Sequence, residues 1–180
     1  MKIERLRDNN IKINGMSKDE VILYLMNKYG EEIKRFVYFL TVDWDQAADI
    51  TQQTFIEVYQ ELDRAFKHPS IRYFIYSMSI QKVKERNRWT FTRELFVSYS
   101  FRSNEEILNE DQLLYEAIIN LPVRYKEIIT LIYYCNFSVE EVSGLLSTKK
   151  SRVMSLLDKG KGRLQRSLET QGGDFSWEII

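Results

Sequence analysis

With 180 residues, 44% of them apolar and 13% aromatic, the chain is long enough for one ordinary domain or two small ones and too apolar for a disordered protein. Its 26 basic and 26 acidic residues cancel, which excludes a uniformly basic nucleic-acid coat, and Cys135 as the sole cysteine excludes an intrachain disulfide. The zero average hides blocks of opposite sign: −6 from Glu31 to Asp63, +4 from Lys82 to Arg93, and five acids with no base from Asn104 to Glu116.

Residues 1–15 are polar, mixed in charge and end in Asn14-Gly15, so a leader is expected there. They hold no apolar run of signal-peptide length. No stretch of the chain approaches the roughly 18 apolar residues of a membrane span, so a cytoplasmic chain without membrane insertion is expected. Ser17 and Glu20 form an S-x-x-E capping box, and Val21, Tyr24, Leu25, Tyr29, Ile33, Phe36, Val37 and Leu40 continue it with helical period, Gly30 being a point of interruption. Asp43 or Asp45 can cap the next helix, which is expected to run to Leu62. Its polar residues Asp49, Gln52, Gln53 and Glu57 recur at three- and four-residue spacing and so share a face that a partner could read.

Lys67-His68-Pro69-Ser70 breaks the pattern. His68 is the only histidine and lacks the neighbours that a metal site or a general base needs. From Ile71 a third helix turns Phe74, Ile75, Met78 and Val83 inward, leaving Arg72, Tyr73, Tyr76, Gln81, Lys82, Lys84, Arg86, Arg88 and Trp89 elsewhere. Cations interleaved with aromatics suit single-stranded nucleic acid, the charges for phosphates and the flat rings for unstacked bases. The same rings can equally be core, since aromatics are mostly buried.

Residues 91–111 lose periodicity and turn acidic, as a linker does. Helix resumes at Asp111 and leads to Pro122, which suits the first position of a further helix ending near Asn136. Ser138 and Glu141 make a second capping box, Val139, Val142, Leu145 and Leu146 give that helix one apolar face, and Ser147-Thr148 offers a break and a new N-cap. The last helix points Val153, Leu156, Leu157 and Leu164 inward, while seven bases against Asp158 alone give residues 149–166 a charge of +6. Two short helices, a tight polar turn and a basic second helix make a helix-turn-helix. A solvated basic surface helix would read the same way, so these residues alone leave both open. Residues 171–180, a tail with a Gly172-Gly173 stop and apolar side chains at its end, are expected either to fray or to dock on a partner. No glycine-rich phosphate loop, paired metal ligands or nucleophile with a histidine appears, so neither an enzyme nor a cofactor is expected.

Two separated segments resemble one family, the bacterial RNA polymerase sigma factors of the sigma-70 superfamily, extracytoplasmic-function (ECF) type. Asp45 to Leu62, DQAADITQQTFIEVYQEL, resembles the family's second conserved region, and Leu121 to Leu146, LPVRYKEIITLIYYCNFSVEEVSGLL, its fourth. The resemblance implies an all-α chain of two small helical domains, residues 16–90 and 112–170, the second a helix-turn-helix, joined by the acidic linker. It implies core RNA polymerase as partner, through the beta-prime clamp and beta flap, together with promoter DNA, double-stranded at −35 and single-stranded at −10, and leaves room for an anti-sigma factor. Carried over by position, the clamp-binding set is Asp49, Gln52, Gln53, Phe55 and Ile56. The −10 set is Arg72, Tyr73, Tyr76, Gln81, Lys82, Lys84 and Arg88. The −35 set is Thr148, Lys149, Lys150, Ser151, Arg152, Ser155, Lys159 and Arg163. The family often has Arg-Asn where this chain has Ile80-Gln81, and lysine and arginine where it has Met154 and Leu156; Gly160 and Gly162 are expected to weaken the recognition helix. A helix-turn-helix regulator acting without polymerase, and a sigma-like protein that sequesters polymerase, are the rival expectations.

Overall fold

Ser17 starts the first helix as its sequence requires. Its hydroxyl accepts the Glu20 amide at 3.3 Å, and the Glu20 carboxylate accepts the Ser17 amide at 2.7 Å. Two orphan donors are thereby satisfied, and the backbone bond holds the Glu20 carboxyl below its ordinary pKa. The computed structural model describes residues 15–90 and 110–170. Most of the expected leader and linker, and the whole tail, lie outside the described residues, as do the side chains of residues 87–90 and 110–112. The described residues hold helices and no strand, and the chain divides into two compact units, Met1–Arg88 and Trp89–Ile180.

In the first unit α1 (Lys18–Thr41) runs unbroken through Gly30. Burial of Tyr29 and Ile33 on either side outweighs a glycine penalty of about 1 kcal/mol, and the bare Cα faces the Phe55 ring. Val42, at φ 54°, ends the helix by returning its amide to the Tyr38 carbonyl at 2.7 Å. The Asp43 carboxylate then accepts the amides of Asp45 and Gln46 at 2.9 and 3.0 Å, so Asp43 and not Asp45 caps α2 (Trp44–Gln60). The helix expected to reach Leu62 stops at Glu61, and a short α3 (Leu62–Lys67) follows. Next comes α4 (Ile71–Thr90). Leu25, Ile33, Phe36, Ile50, Phe55, Val58, Leu62, Ile71, Ile75 and Tyr76 fill the core between these helices.

In the second unit α5 (Glu110–Ile119) and α6 (Val123–Ile129) flank Pro122, which stands just before the first helical residue rather than in it. Thr130–Tyr134 form a π turn closed by the Cys135 amide on the Thr130 carbonyl at 2.9 Å. α7 (Val139–Leu145) and α8 (Lys150–Thr170) complete the unit. Ala117, Leu121, Tyr125, Ile129, Leu164 and Leu168 form one core cluster, so α8 is anchored by its C-terminal half against α5 and α6. Cys135 is fully buried, in the role of a small hydrophobe.

Lys126 sits inside this cluster's edge, 3% exposed, and its Nζ donates to the carbonyl of Ile119, the last residue of α5, at 2.6 Å. It therefore caps a helix C-terminus from a buried position. Burial pushes its pKa down to about 8. Between that value and the unfolded value near 10.5 the unfolded chain binds a proton that the native chain does not, so stability rises with pH through this window. The rise is worth about 3 kcal/mol at most. Denaturant titrations of wild type and Lys126→Met across pH 7.5–10.5 test this: the difference between them should grow with pH in favour of wild type, and parallel curves would contradict it.

Candidate nucleic-acid interface

The Ser138 hydroxyl accepts the Glu141 amide at 3.2 Å while the Glu141 carboxylate accepts the Ser138 amide at 2.8 Å, starting α7 as its sequence requires. Val142 and Leu145 bury its inner face. Ser147, at φ 49°, reverses the chain, and Ser143 Oγ donates to the Thr148 carbonyl at 2.6 Å. Ser147-Thr148 are thus the turn itself. The expectation that they cap the last helix is corrected: α8 begins at Lys150, with the Lys149 carbonyl accepting from Arg152 and Val153.

This turn and the first coil of α8 enclose an open groove of about 770 Å³, lined by Ser143, Ser147, Thr148, Lys149, Ser151, Arg152 and Ser155. Five of the eight residues expected to read a duplex therefore meet at one place: Thr148, Lys149, Ser151, Arg152 and Ser155. Lys150 instead leaves the groove to pair with Glu140 of α7 at 2.6 Å, and that bond holds the Glu140 carboxyl below its ordinary pKa. Lys159 and Arg163 follow Arg152 on the same stripe at intervals of seven and eleven residues. Arg163 is some 16 Å further along the helix, where its guanidinium lies over the Tyr125 ring at 5.3 Å. Met154 is exposed, whereas Leu156 packs against the core cluster and so stands apart from the groove.

The two glycines of α8 differ. A Cβ on Gly160 would stand 2.9 Å from Ile129 Cδ1 and 3.4 Å from Tyr125 Cβ, whereas one on Gly162 meets nothing within 4 Å. Gly160 is thus the crossing point of α8 on α6, and the helix continues beyond both glycines to Thr170. The expectation that Gly160 only weakens the helix is corrected. Gly162→Ala should stabilise by about 1 kcal/mol through helix propensity. Gly160→Ala should gain less than Gly162→Ala, because its methyl would stand 2.9 Å from Ile129 Cδ1, which must swing aside, and 3.4 Å from Tyr125 Cβ. Urea unfolding of the two variants checks this, and equal gains from both would contradict it.

In the first unit, α2 exposes Asp49, Gln52, Gln53 and Ile56 on its outward side. Phe55 is 2% exposed, turned into the core beside Gly30. Its place in the partner-facing set is corrected: it shapes the face from beneath. On α4, Tyr76 is fully buried, its hydroxyl donating to Glu32 at 2.9 Å and its ring tilted against Phe36, so it is unavailable to stack on a base. Arg72 is clasped by the same Glu32 carboxylate, Tyr73 stacks on His68 at 5.1 Å, and Lys82 pairs with Glu57 at 2.6 Å. The bond to Glu57 raises the Lys82 pKa. Gln81, bonded to Glu85, and Lys84 are exposed or half-exposed; the Arg88 side chain lies outside the described residues. Sequence reasoning missed the acids. Each of Arg72, Lys82, Arg86 and Lys150 meets a carboxylate, that of Glu32, Glu57, Asp49 and Glu140 respectively.

These features define a two-unit helical DNA-binding protein with a helix-turn-helix in its second unit. Residues 25–89 match the family model "Sigma-70 region 2", and residues 111–164 match "Sigma-70, region 4". The chain belongs to the sigma-70 family of RNA polymerase sigma factors, in its ECF branch. It is 25% identical over 173 residues to ECF RNA polymerase sigma factor SigM of Bacillus subtilis (strain 168), covering 83% of this chain and 94% of that one. It is 21% identical over 155 residues to RNA polymerase sigma factor YlaC of the same organism, covering 80% and 90%. The fold is similar to that of sigma factor RpoE from Bartonella quintana, solved in complex with the anti-sigma factor NepR, with TM-score 0.66, 18% identity and coverage of 85% and 98%. It is also similar to CnrH, solved with the cytosolic domain of CnrY, with TM-score 0.62, 15% identity and coverage of 87% and 92%. Among the described residues no helix is long and apolar enough to cross a membrane, and no group of side chains could hold a metal ion.

Proposed function

We propose that this chain works as an initiation factor whose outward α2 face docks on core RNA polymerase, whose α4 captures the unpaired −10 strand, and whose α8 enters the duplex at −35. It directs polymerase to particular promoters and helps to open them. Binding energy at α4 and α8 offsets the few kcal/mol that unstacking costs, so the chain itself performs no chemistry. It acts in the cytoplasm, where its partners are. An anti-sigma factor is a further proposed partner, by analogy with the two complexes of known structure.

The observation that supports this reading most is the groove where Lys149, Arg152 and Ser155 converge beside the helix-turn-helix. Its cations can hold phosphates while hydroxyls and a guanidinium reach base edges. Electrophoretic mobility shifts on promoter-bearing duplexes test it. The chain alone should give weak, salt-sensitive shifts, and addition of core enzyme should give a sequence-specific complex. Tight operator binding without polymerase would favour a plain helix-turn-helix regulator, and a stable complex with core that binds no promoter would favour a sequestering protein.

A further inference from the structure

Lys150, Ser151, Met154 and Ser155 are exposed together at the start of α8. Met154 lies four residues beyond Lys150, three beyond Ser151 and next to Ser155, a spacing that sets them side by side on the first two turns. The three polar side chains already have a use: Ser151 and Ser155 line the groove beside the turn, and Lys150 pairs with Glu140. Met154 is apolar and 56% exposed. Val153 beside it is fully buried, so α8 cannot turn Met154 inward without bringing Val153 out.

A methionine has no hydrogen-bond donor and only a weak acceptor, and its tip is a flexible, polarisable thioether. In the major groove thymine alone presents an apolar group, its C5 methyl, whereas the edges of the other bases present ring nitrogens, carbonyls and amino groups. A thioether pressed on those edges would strip them of water and return no hydrogen bond. We infer that Met154 is a specificity-determining residue, which selects a thymine in the −35 duplex by packing on its C5 methyl. This rests on the reading of α8 as the helix that enters the duplex.

The contact involves no charge. It takes about one methyl group out of water, which corresponds to about three- to fivefold in affinity. Phosphate contacts by Lys149 and Arg152 release counterions and vary with salt, whereas burial of a methyl releases none. Met154 thus adds sequence preference and leaves the salt slope alone, and the hydroxyls of Ser151 and Ser155 on either side are free to serve any base.

The experiment uses the full chain bound to core enzyme and the duplexes that this complex recovers from a randomised library. Wild type should recover thymine at one fixed position of the upstream element, and Met154→Ala should lose that preference while keeping its neighbours. Each thymine of the element is then replaced singly by deoxyuridine, which removes only the methyl. At one thymine the replacement should weaken wild-type binding about three- to fivefold. Met154→Ala should bind the two duplexes equally, with the salt slope of wild type. The inference is overturned if the element holds no thymine, if no deoxyuridine weakens wild-type binding, or if Met154→Ala keeps the sensitivity to the methyl. Recovery itself separates the two levels. If a complex that core retains recovers no common upstream sequence, the reading of α8 fails; if it recovers one and the methyl has no effect, only the role of Met154 fails.

Discussion

Replacing Lys149, Lys150 and Arg152 together by alanine will flatten the salt dependence of promoter binding by roughly 2 to 3 in log–log slope, at about 0.9 for each duplex phosphate that is no longer neutralised. Affinity should fall on the order of a hundredfold at low salt. The three do not contribute alike. Lys149 and Arg152 open onto the groove at the start of α8, whereas Lys150 directs part of its charge to Glu140 at 2.6 Å. Lys150→Ala should therefore change the slope less than Lys149→Ala. All three side chains are exposed and outside the core cluster, so the fold tolerates the change. Fluorescence anisotropy of the polymerase-bound chain on promoter duplex across a salt series reads the slope, and an unchanged slope would remove α8 from the interface.

The second large effect separates two neighbours on α2. Phe55 is buried and Ile56 is 52% exposed, one residue apart. Phe55→Ala should cost about 3–5 kcal/mol of stability by opening a cavity between α1 and α2. Its effect on polymerase would follow from unfolding. Ile56→Glu should leave stability within about 0.5 kcal/mol of wild type. It should nevertheless lower affinity for core enzyme at least tenfold, because an apolar anchor ringed by Asp49, Gln52 and Gln53 is where binding energy concentrates. Chemical denaturation with surface-plasmon measurement of core binding distinguishes the two. Normal core binding by Ile56→Glu would contradict the assignment of this face.

What the sequence made legible was local. Ser17 with Glu20 and Ser138 with Glu141 form their boxes within one turn, so no distant residue can overrule them, and both helices start where the motif says. The helix-turn-helix was readable for the same reason. Misplaced features depend on what arrives from elsewhere in the chain. Phe55 and Tyr76 occur in helices with several aromatic and polar positions, and only the approach of α1 decides that they are inside. Gly30 looked like a break and Gly160 like a weak point, yet the first is carried by burial on either side and the second is where α8 touches α6. Val42 is a β-branched residue in the left-handed region, a position that no local rule assigns to it. The ion pairs were least legible of all. Glu32 and Arg72 lie 40 residues apart, and helical periodicity says which face a charge occupies but not which helix will lie opposite.

These ion pairs also shape function. Cations counted along α4 suggested a helix open to nucleic acid, whereas Arg72 and Lys82 are already engaged by Glu32 and Glu57. The free chain is correspondingly expected to be a poor ligand for DNA and to depend on polymerase to present it. The charge segregation of a chain with zero net charge has the same meaning in the first unit: acids of α1 and α2 meet cations of α4 and neutralise them in part.

The most direct measurement is transcription in vitro from a genomic template library by core RNA polymerase, with and without the purified chain. Discrete start sites that appear only on its addition, preceded by a shared pair of spaced sequence elements, are the result expected of a factor that docks by α2 and reads DNA through α4 and α8. Unaltered, non-specific initiation despite retention of the chain on the enzyme would contradict it.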